Sequence, residues 1–126
     1  MSVLVDTSVW VDHFRHGNDA LAALMALDRV LTHPMVVLEL ACGTPPAPRR
    51  RTLDDIGLLR AARQATPAEV LAFVEQEKLY GLGCGLVDLN LLASTLITPD
   101  AKLWTLDRRL RDLAARFGVA HSLERH

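Results

Sequence analysis

The chain has little cysteine, little aromatic content and almost no net charge. Its two cysteines, Cys42 and Cys84, stand far apart and lack metal-ligand spacing. That argues against a zinc ribbon or a disulfide framework and predicts reduced, buried thiols. Aromatic residues are 5% of the 126, so the core must be built from aliphatic side chains. Trp10 and Trp104 are expected within it. The net charge of −1 argues against a protein held on nucleic acid by bulk charge, because such domains are strongly basic. Any grip on a polyanion must therefore be local. No run approaches the ~18 apolar residues that a membrane span requires. The opening MSVLVDTS has neither a basic leader nor an apolar signal core. These absences predict a cytoplasmic protein with no membrane partner, folded as a single domain over 1–126.

What is present is an alternation of short apolar runs and helical patterns. Val3 to Val5 reads as a buried strand, with a short helix from Ser8 to about Arg15. Asn18 can cap a second helix, Val30 to Thr32 is a strand candidate, and Pro34 opens a helix that passes through Glu39 to Cys42. The loop TPPAPRRR leads into a polar helix from Arg51 to about Leu59. Thr66 and Glu69 form a capping box for a helix to about Tyr80. Gly81-Leu82-Gly83-Cys84-Gly85 reads as a flexible connection. No strand precedes it and no Gly-Lys-Ser/Thr follows, so it is not a phosphate loop. A helix from Leu86 to Ile97, a strand from Lys102 to Leu106, a helix from Asp107 to Phe117 and an edge strand at Val119-Ala120 complete the chain. The fold class is α/β, with strands and helices alternating around a parallel sheet covered on both faces.

Within this pattern four carboxylates interrupt or end hydrophobic stretches: Asp6 in VLVDTSVW, Glu39 in MVVLELA, Asp88 in GLVDLNLLA and Asp107 in KLWTLDRRL. Acids are rarely set against a core unless they are paired or bind a metal. No Lys or Arg is regularly spaced beside the first three. Asp6 and Asp107 each follow a strand, on the rim where parallel sheets bind ligands. Helix capping is the bland alternative for Asp6, Asp88 and Asp107, although Ser8 can serve the first helix in place of Asp6. Glu39 shares a helix face with Met35, Val36, Cys42 and Gly43 rather than with a solvated stripe. Thr105 precedes Asp107 by two residues, and its hydroxyl can orient a carboxylate or a water. Asn90 is expected to point elsewhere.

Carboxylates without His or Cys companions favour Mg²⁺ or Mn²⁺ over zinc. Such a site activates water and steadies a phosphoryl group during in-line displacement. Two basic groups lie at hand for a phosphate backbone, Arg108, Arg109 and Arg111 after Asp107, and Arg49 to Arg51. For each group a solvated helix face is the competing explanation. His13 and His16 lie one helical turn apart near Asp12 but lack the further ligands zinc needs, so surface histidines are expected.

The four acids, their order and their local settings resemble the PIN-domain ribonucleases, in particular the VapC toxins of bacterial toxin–antitoxin pairs, over nearly the whole chain. VLVDTSVWVDHF is similar to that family's first motif, with Asp6 as its acid and Ser8 as the accompanying hydroxyl. Glu39 in VVLELACG looks like the second acid and Asp88 in GLVDLNLLAS the third. Thr105 and Asp107 in LWTLDRRL look like the last motif, although arginines stand where many relatives carry a further acid or a Phe. The resemblance implies a three-layer PIN-like α/β/α fold with about four to five parallel strands. It implies a Mg²⁺- or Mn²⁺-dependent endoribonuclease in which Asp6, Glu39, Asp88 and Asp107 are both catalytic and metal-binding. In it, activated water attacks the phosphodiester and leaves a 5′-phosphate and a 3′-hydroxyl. It further implies a homodimer, a tRNA or ribosomal RNA substrate, and a VapB-type antitoxin whose C-terminal segment covers the site.

Two rival enzyme readings fit less well. An aspartyl-phosphate hydrolase needs a second acid where Ser8 stands. A receiver domain wants a Lys near the end of the last strand, and Lys102 begins it. From a different class, a PIN fold kept as a non-catalytic RNA- or protein-binding module would be expected to lose acids, and here all four are present.

Overall fold

The structure is a computed structural model that describes residues 1–122. Its centre is a parallel sheet in the order β2-β1-β3, with β1 at Ser2–Val5, β2 at Val30–Leu31 and β3 at Ala101–Trp104. Val3 pairs with Val30 on one side and Lys102 on the other, and Leu4 with Leu31 and Leu103. Successive strand residues point to opposite faces. Val3, Leu4 and Val5 are nevertheless all fully buried, so helices cover both sides of the sheet, as the unbroken apolar run VLV requires.

Among the described residues the sheet has three strands, which corrects the expectation of about four to five. Each edge is extended only by a single bridge, Thr32 with Ala61 and Leu103 with Ala120. Val119-Ala120 thus pairs at one point, through Leu103 N–H to Val119 O and His121 N–H to Leu103 O. The chain turns away before a ladder forms.

Seven helices surround the sheet among the described residues: α1 Thr7–His16, α2 Asp19–Ala26, α3 Pro34–Cys42, α4 Arg49–Gly57, α5 Pro67–Glu77, α6 Leu86–Ile97 and α7 Arg108–Arg116. Their starts follow local chemistry. Asn18 accepts from Leu21 N–H, and the Thr66–Glu69 capping box closes in both directions. Every residue of α6 from Leu89 to Thr95 is buried, which explains its near-continuous apolar sequence. By contrast α7 buries only Leu110, Leu113 and Ala114 and leaves its arginines outside.

The core joins Val9, Trp10, Leu21, Val36, Leu91, Leu92, Trp104 and Leu110 to the strands. Both tryptophans are buried as expected. The cysteines are free, but Cys42 is exposed at the end of α3 and Cys84 only half-buried, which corrects the expectation of two buried thiols. No helix among the described residues is long and apolar enough to cross a membrane.

Candidate active site

Asp6 is held by the sheet itself. It follows β1 directly, and its N–H donates to Trp104 O of the adjacent β3. It stands at the N-cap position of α1, with backbone angles suited to a cap, yet its side chain makes no capping hydrogen bond. Its Oδ2 instead accepts from Ser8 Oγ at 2.8 Å and Thr105 Oγ1 at 2.7 Å. The residue is 5% exposed and makes no ion pair, the ion pairs among the described residues being Met1 with Asp100 and Arg50 with Asp54. A buried carboxylate held by two hydroxyls and no cation leaves one oxygen, Oδ1, for another partner.

The two hydroxyls are themselves anchored. Ser8 Oγ accepts from Leu106 N–H and Thr105 Oγ1 from Asp107 N–H, each at 3.0 Å. The β1–α1 and β3–α7 junctions are thereby laced together, with Thr105 bridging Asp6 and Asp107. The carboxylate of Asp107 caps its own helix, with Oδ1 accepting from Leu110 N–H at 3.0 Å.

Asp88 lies in the first turn of α6, half-buried, where its Oδ2 accepts a long 3.4 Å hydrogen bond from Gly85 N–H. Burial pushes its carboxyl above the usual range. The Gly85 hydrogen bond opposes this, and the charges of Asp6, Asp107 and Glu39 raise it again. The three other acids therefore face Asp88 closely enough to be felt. Glu39 reaches in from α3, with Oε1 accepting from Thr7 Oγ1 at 2.7 Å. It also lines a small cavity with Thr7, Val11, Phe14 and Arg15. Glu39 and Asp107 are exposed, so the picture of four acids set into the core holds only for Asp6 and in part for Asp88.

Residues 3–116 match the PIN domain family. Two curated relatives, each a Ribonuclease VapC32, come from Mycobacterium tuberculosis strains CDC 1551 / Oshkosh and ATCC 25618 / H37Rv. Each is 42% identical over 118 residues, covering 94% of both chains. The chain is a VapC-type member of the PIN-domain family. A solved structure, VapBC2 from Rickettsia felis bound to a promoter DNA fragment, matches with a TM-score of 0.61. It covers 95% of this chain and 96% of that one at 17% identity, a likeness of fold.

The acids of this PIN domain offer a set of hard oxygen donors. Burial, Asp88 and Asp107 push the neighbouring Cys84 thiol up, against the opposing influence of Arg109. Among the described residues no three acidic, His or Cys side chains come together as a group that could hold a metal ion. Zinc needs a closed cage, whereas Mg²⁺ keeps several waters and takes one or two carboxylates directly. As a donor type, carboxylate oxygen suits Mg²⁺ or the similar Mn²⁺ better than zinc.

A second polar cluster braces the helices that carry Glu39 and Asp88. His33 caps α3, its Nδ1 accepting from Met35 N–H at 3.1 Å. That leaves Nε2 carrying the proton, to donate to Ser94 Oγ at 3.0 Å. The Ser94 hydroxyl donates to Asn90 Oδ1 and accepts from Ala65 N–H, each at 3.0 Å, which satisfies it completely. Asn90 does point away from the acids, as expected, but into this network. His33 and Ser94 were not anticipated. The one available signal for His33 was its place just before Pro34 at a helix start.

The basic groups divide. Arg49 donates to Gly43 O at 3.0 Å and to Ala41 O, tying the loop to the end of α3. Arg50 pairs with Asp54 at 3.2 Å. Arg49 and Arg50 thus already have partners within the chain. Arg108, Arg109 and Arg111 are exposed. His13 Nδ1 accepts from Asn18 N–H, so that imidazole serves the α1–α2 turn.

Proposed function

We propose that this chain, folded as one domain over 1–126, is the toxin of a toxin–antitoxin pair. It is an endoribonuclease that works with Mg²⁺ or Mn²⁺ and hydrolyses phosphodiester bonds of RNA. The observation that carries this reading is Asp6: a buried carboxylate, unpaired, declining to cap its own helix and held by Ser8 and Thr105. Asp6, Glu39 and Asp88 hold the ion, and Asp107 completes the ring through the oxygen its cap leaves free. When bound, the ion lowers the pKa of water and stabilises charge on the phosphoryl group. Ser8 and Thr105 fix the Asp6 carboxylate, and Thr7 restrains Glu39. Arg108, Arg109 and Arg111 hold the RNA backbone. The relatives named as ribonucleases support the activity, and the VapBC2 complex supports a VapB-type antitoxin as partner. A homodimer, and a tRNA or ribosomal RNA loop as substrate, belong to the same reading.

The test is substitution without loss of volume. Asp6→Asn and Asp88→Asn each remove one negative charge and keep the side-chain shape. Metal-dependent cleavage of total RNA, and growth arrest on expression, should disappear in both while the melting transition survives. Full activity in Asp88→Asn would remove that residue from the site. RNA binding without cleavage by the unsubstituted chain, with Mg²⁺ or Mn²⁺ supplied, would instead favour the non-catalytic module.

A further inference from the structure

The glycine-spaced bend before α6 is packed against Arg109 rather than standing as a loose connection. A Cβ placed on Gly83 would stand 2.5 Å from Arg109 Nη1, 2.8 Å from its Cδ and 2.9 Å from its Cζ. Real Cβ atoms do not approach so closely, so the Arg109 side chain passes directly against the Gly83 backbone and would have to move to admit a Cβ. Gly83 also has φ +85°, a conformation open to glycine at little cost. Gly81 offers an internal contrast, with φ +72° and nothing within 4 Å of a built Cβ. Both glycines meet the demand of the backbone, but only Gly83 also makes room for Arg109.

The place where Arg109 is seated has a chemical character. Arg109 stands two residues after Asp107 in the first turn of α7, and Gly83 two residues before Gly85, whose N–H donates to Asp88. Guanidinium and carboxylates thus share one neighbourhood at the rim of the acid cluster. Arg109 nevertheless forms no ion pair among the described residues. The buried positions Leu110, Leu113 and Ala114 fix the orientation of α7, so Arg109 is presented from a rigid element. A planar guanidinium beside a metal-binding ring, and not neutralised by it, suits bidentate contact with a phosphate.

We infer that Gly83 is a seat for Arg109, and that the seated guanidinium holds an RNA phosphate next to the acid cluster. This singles out Arg109 from the three arginines of α7 and rests on the ribonuclease reading. Gly83 is then a positioning residue that acts through Arg109.

The experiment measures binding of a short fluorescein-labelled single-stranded RNA by anisotropy across a salt series. All variants carry Asp6→Asn, so that the probe is not cut. Arg109→Ala should weaken binding about tenfold. It should also reduce the slope of log affinity against log salt by about 0.7, the contribution of one phosphate contact on a single strand. Gly83→Ala should reproduce both changes and add nothing in the Arg109→Ala background. Gly81→Ala should leave affinity and slope unchanged, and Arg109→Lys should restore the slope. Equal behaviour of Gly81→Ala and Gly83→Ala overturns the seat. An unchanged slope in Arg109→Ala, or no binding of the probe by the Asp6→Asn chain, overturns the phosphate contact. If Gly83→Ala lacks a cooperative melt, the Arg109→Ala and Arg109→Lys pair decides. Absence of RNA cleavage by the chain with Asp6 intact would sink the ribonuclease reading separately, because the binding series does not depend on turnover.

Discussion

At the ends of β1 and β3 the chain makes the same move: a strand, an aspartate, a helix. The two strands are hydrogen-bonded neighbours, and the two aspartates occupy the same N-cap position with similar backbone angles. Asp107 behaves as that position dictates and accepts from Leu110 N–H. The β2–α3 junction follows the same rule with a different residue, His33, which accepts from Met35 N–H. Only Asp6, on the central strand, withholds its side chain from its helix. Capping is the cheap local use of a carboxylate. A buried acid that forgoes it, and is gripped by hydroxyls from two different junctions, is being kept for another partner. Position after a strand is therefore not what marks the site. The departure from local chemistry marks it.

The sharpest way to break this comparison is activity. In Asp6→Asn the cleavage rate should fall by roughly a thousandfold or more, since the proposed mechanism draws several kcal/mol of transition-state stabilisation from the ion. Asp107→Asn should lose only about tenfold, because Asn caps as well as Asp and a peripheral ligand is lost. Single-turnover rates on one RNA compare the two directly. Equal losses would mean that Asp107 ligates as fully as Asp6 and that its cap is incidental.

A smaller effect tests the lacing between the junctions. Thr105→Val keeps the shape of the side chain but removes the hydroxyl that donates to Asp6 and accepts from Asp107 N–H. Groups that orient a metal ligand typically matter by about 10- to 100-fold. Cleavage should fall by that much, and a higher Mg²⁺ concentration should recover part of it. Recovery distinguishes a misaligned ligand from a damaged fold, and an unchanged Mg²⁺ dependence would argue that Thr105 only packs.

Much of this contrast was visible in the order of residues, and some was not. VLVD placed Asp6 at the end of a fully buried strand, as an unbroken apolar run suggests. LWTLD suggested the same for Asp107, but β3 stops at Trp104 and Leu106 is exposed, which corrects the expected strand from Lys102 to Leu106. Whether Asp6 caps was invisible, since one of the two hydroxyls that hold it, Thr105, lies 99 positions away in sequence. Glu39 was misread in its surroundings. MVVLELA is apolar almost throughout, so its pattern did not reveal that Leu38 and Glu39 are exposed. The glycines before α6 suggested freedom. The need for Gly83 comes from Arg109, 26 positions later (109 − 83), which no local pattern can report. His33 was hidden because histidine is not among the usual caps, and its role depends on Ser94 and Asn90 of a distant helix.

The β2 junction sharpens the comparison through pH. Burial holds the His33 imidazole below its ordinary value, with Asn90 partly opposing, and its Nδ1 must stay unprotonated to cap α3. His121 is likewise lowered by burial. With the folded pKa below the unfolded one, the unfolded chain binds more protons as pH falls through about 6.5. Stability from these groups is complete above that point, is lost as pH drops toward their folded values, and levels off below. Melting temperature should therefore decline below about pH 6.5. His33→Asn, which retains a capping oxygen, should flatten part of that decline and leave the share due to His121. An unaltered acid limb would mean that His33 is not buried as a neutral cap.

The smallest expected effect is the purest test of the two uses of aspartate. Asp107→Ala removes a helix cap and should cost about 1 kcal/mol, about 4 °C in melting temperature, whereas Asp107→Asn should cost almost nothing. At Asp6 the ranking should differ. No cap is lost there, and replacing an unpaired buried charge by Asn relieves the desolvation of that charge, so Asp6→Asn should melt at or above the unsubstituted chain when no divalent ion is present. Adding Mg²⁺ should then raise the melting temperature of the unsubstituted chain, because an ion that binds only the folded state stabilises it, and should do so much less for Asp6→Asn. If Asp6→Asn melts lower than Asp107→Ala in the absence of metal, the Asp6 carboxylate is structural after all, and the contrast between the two junctions loses its functional meaning.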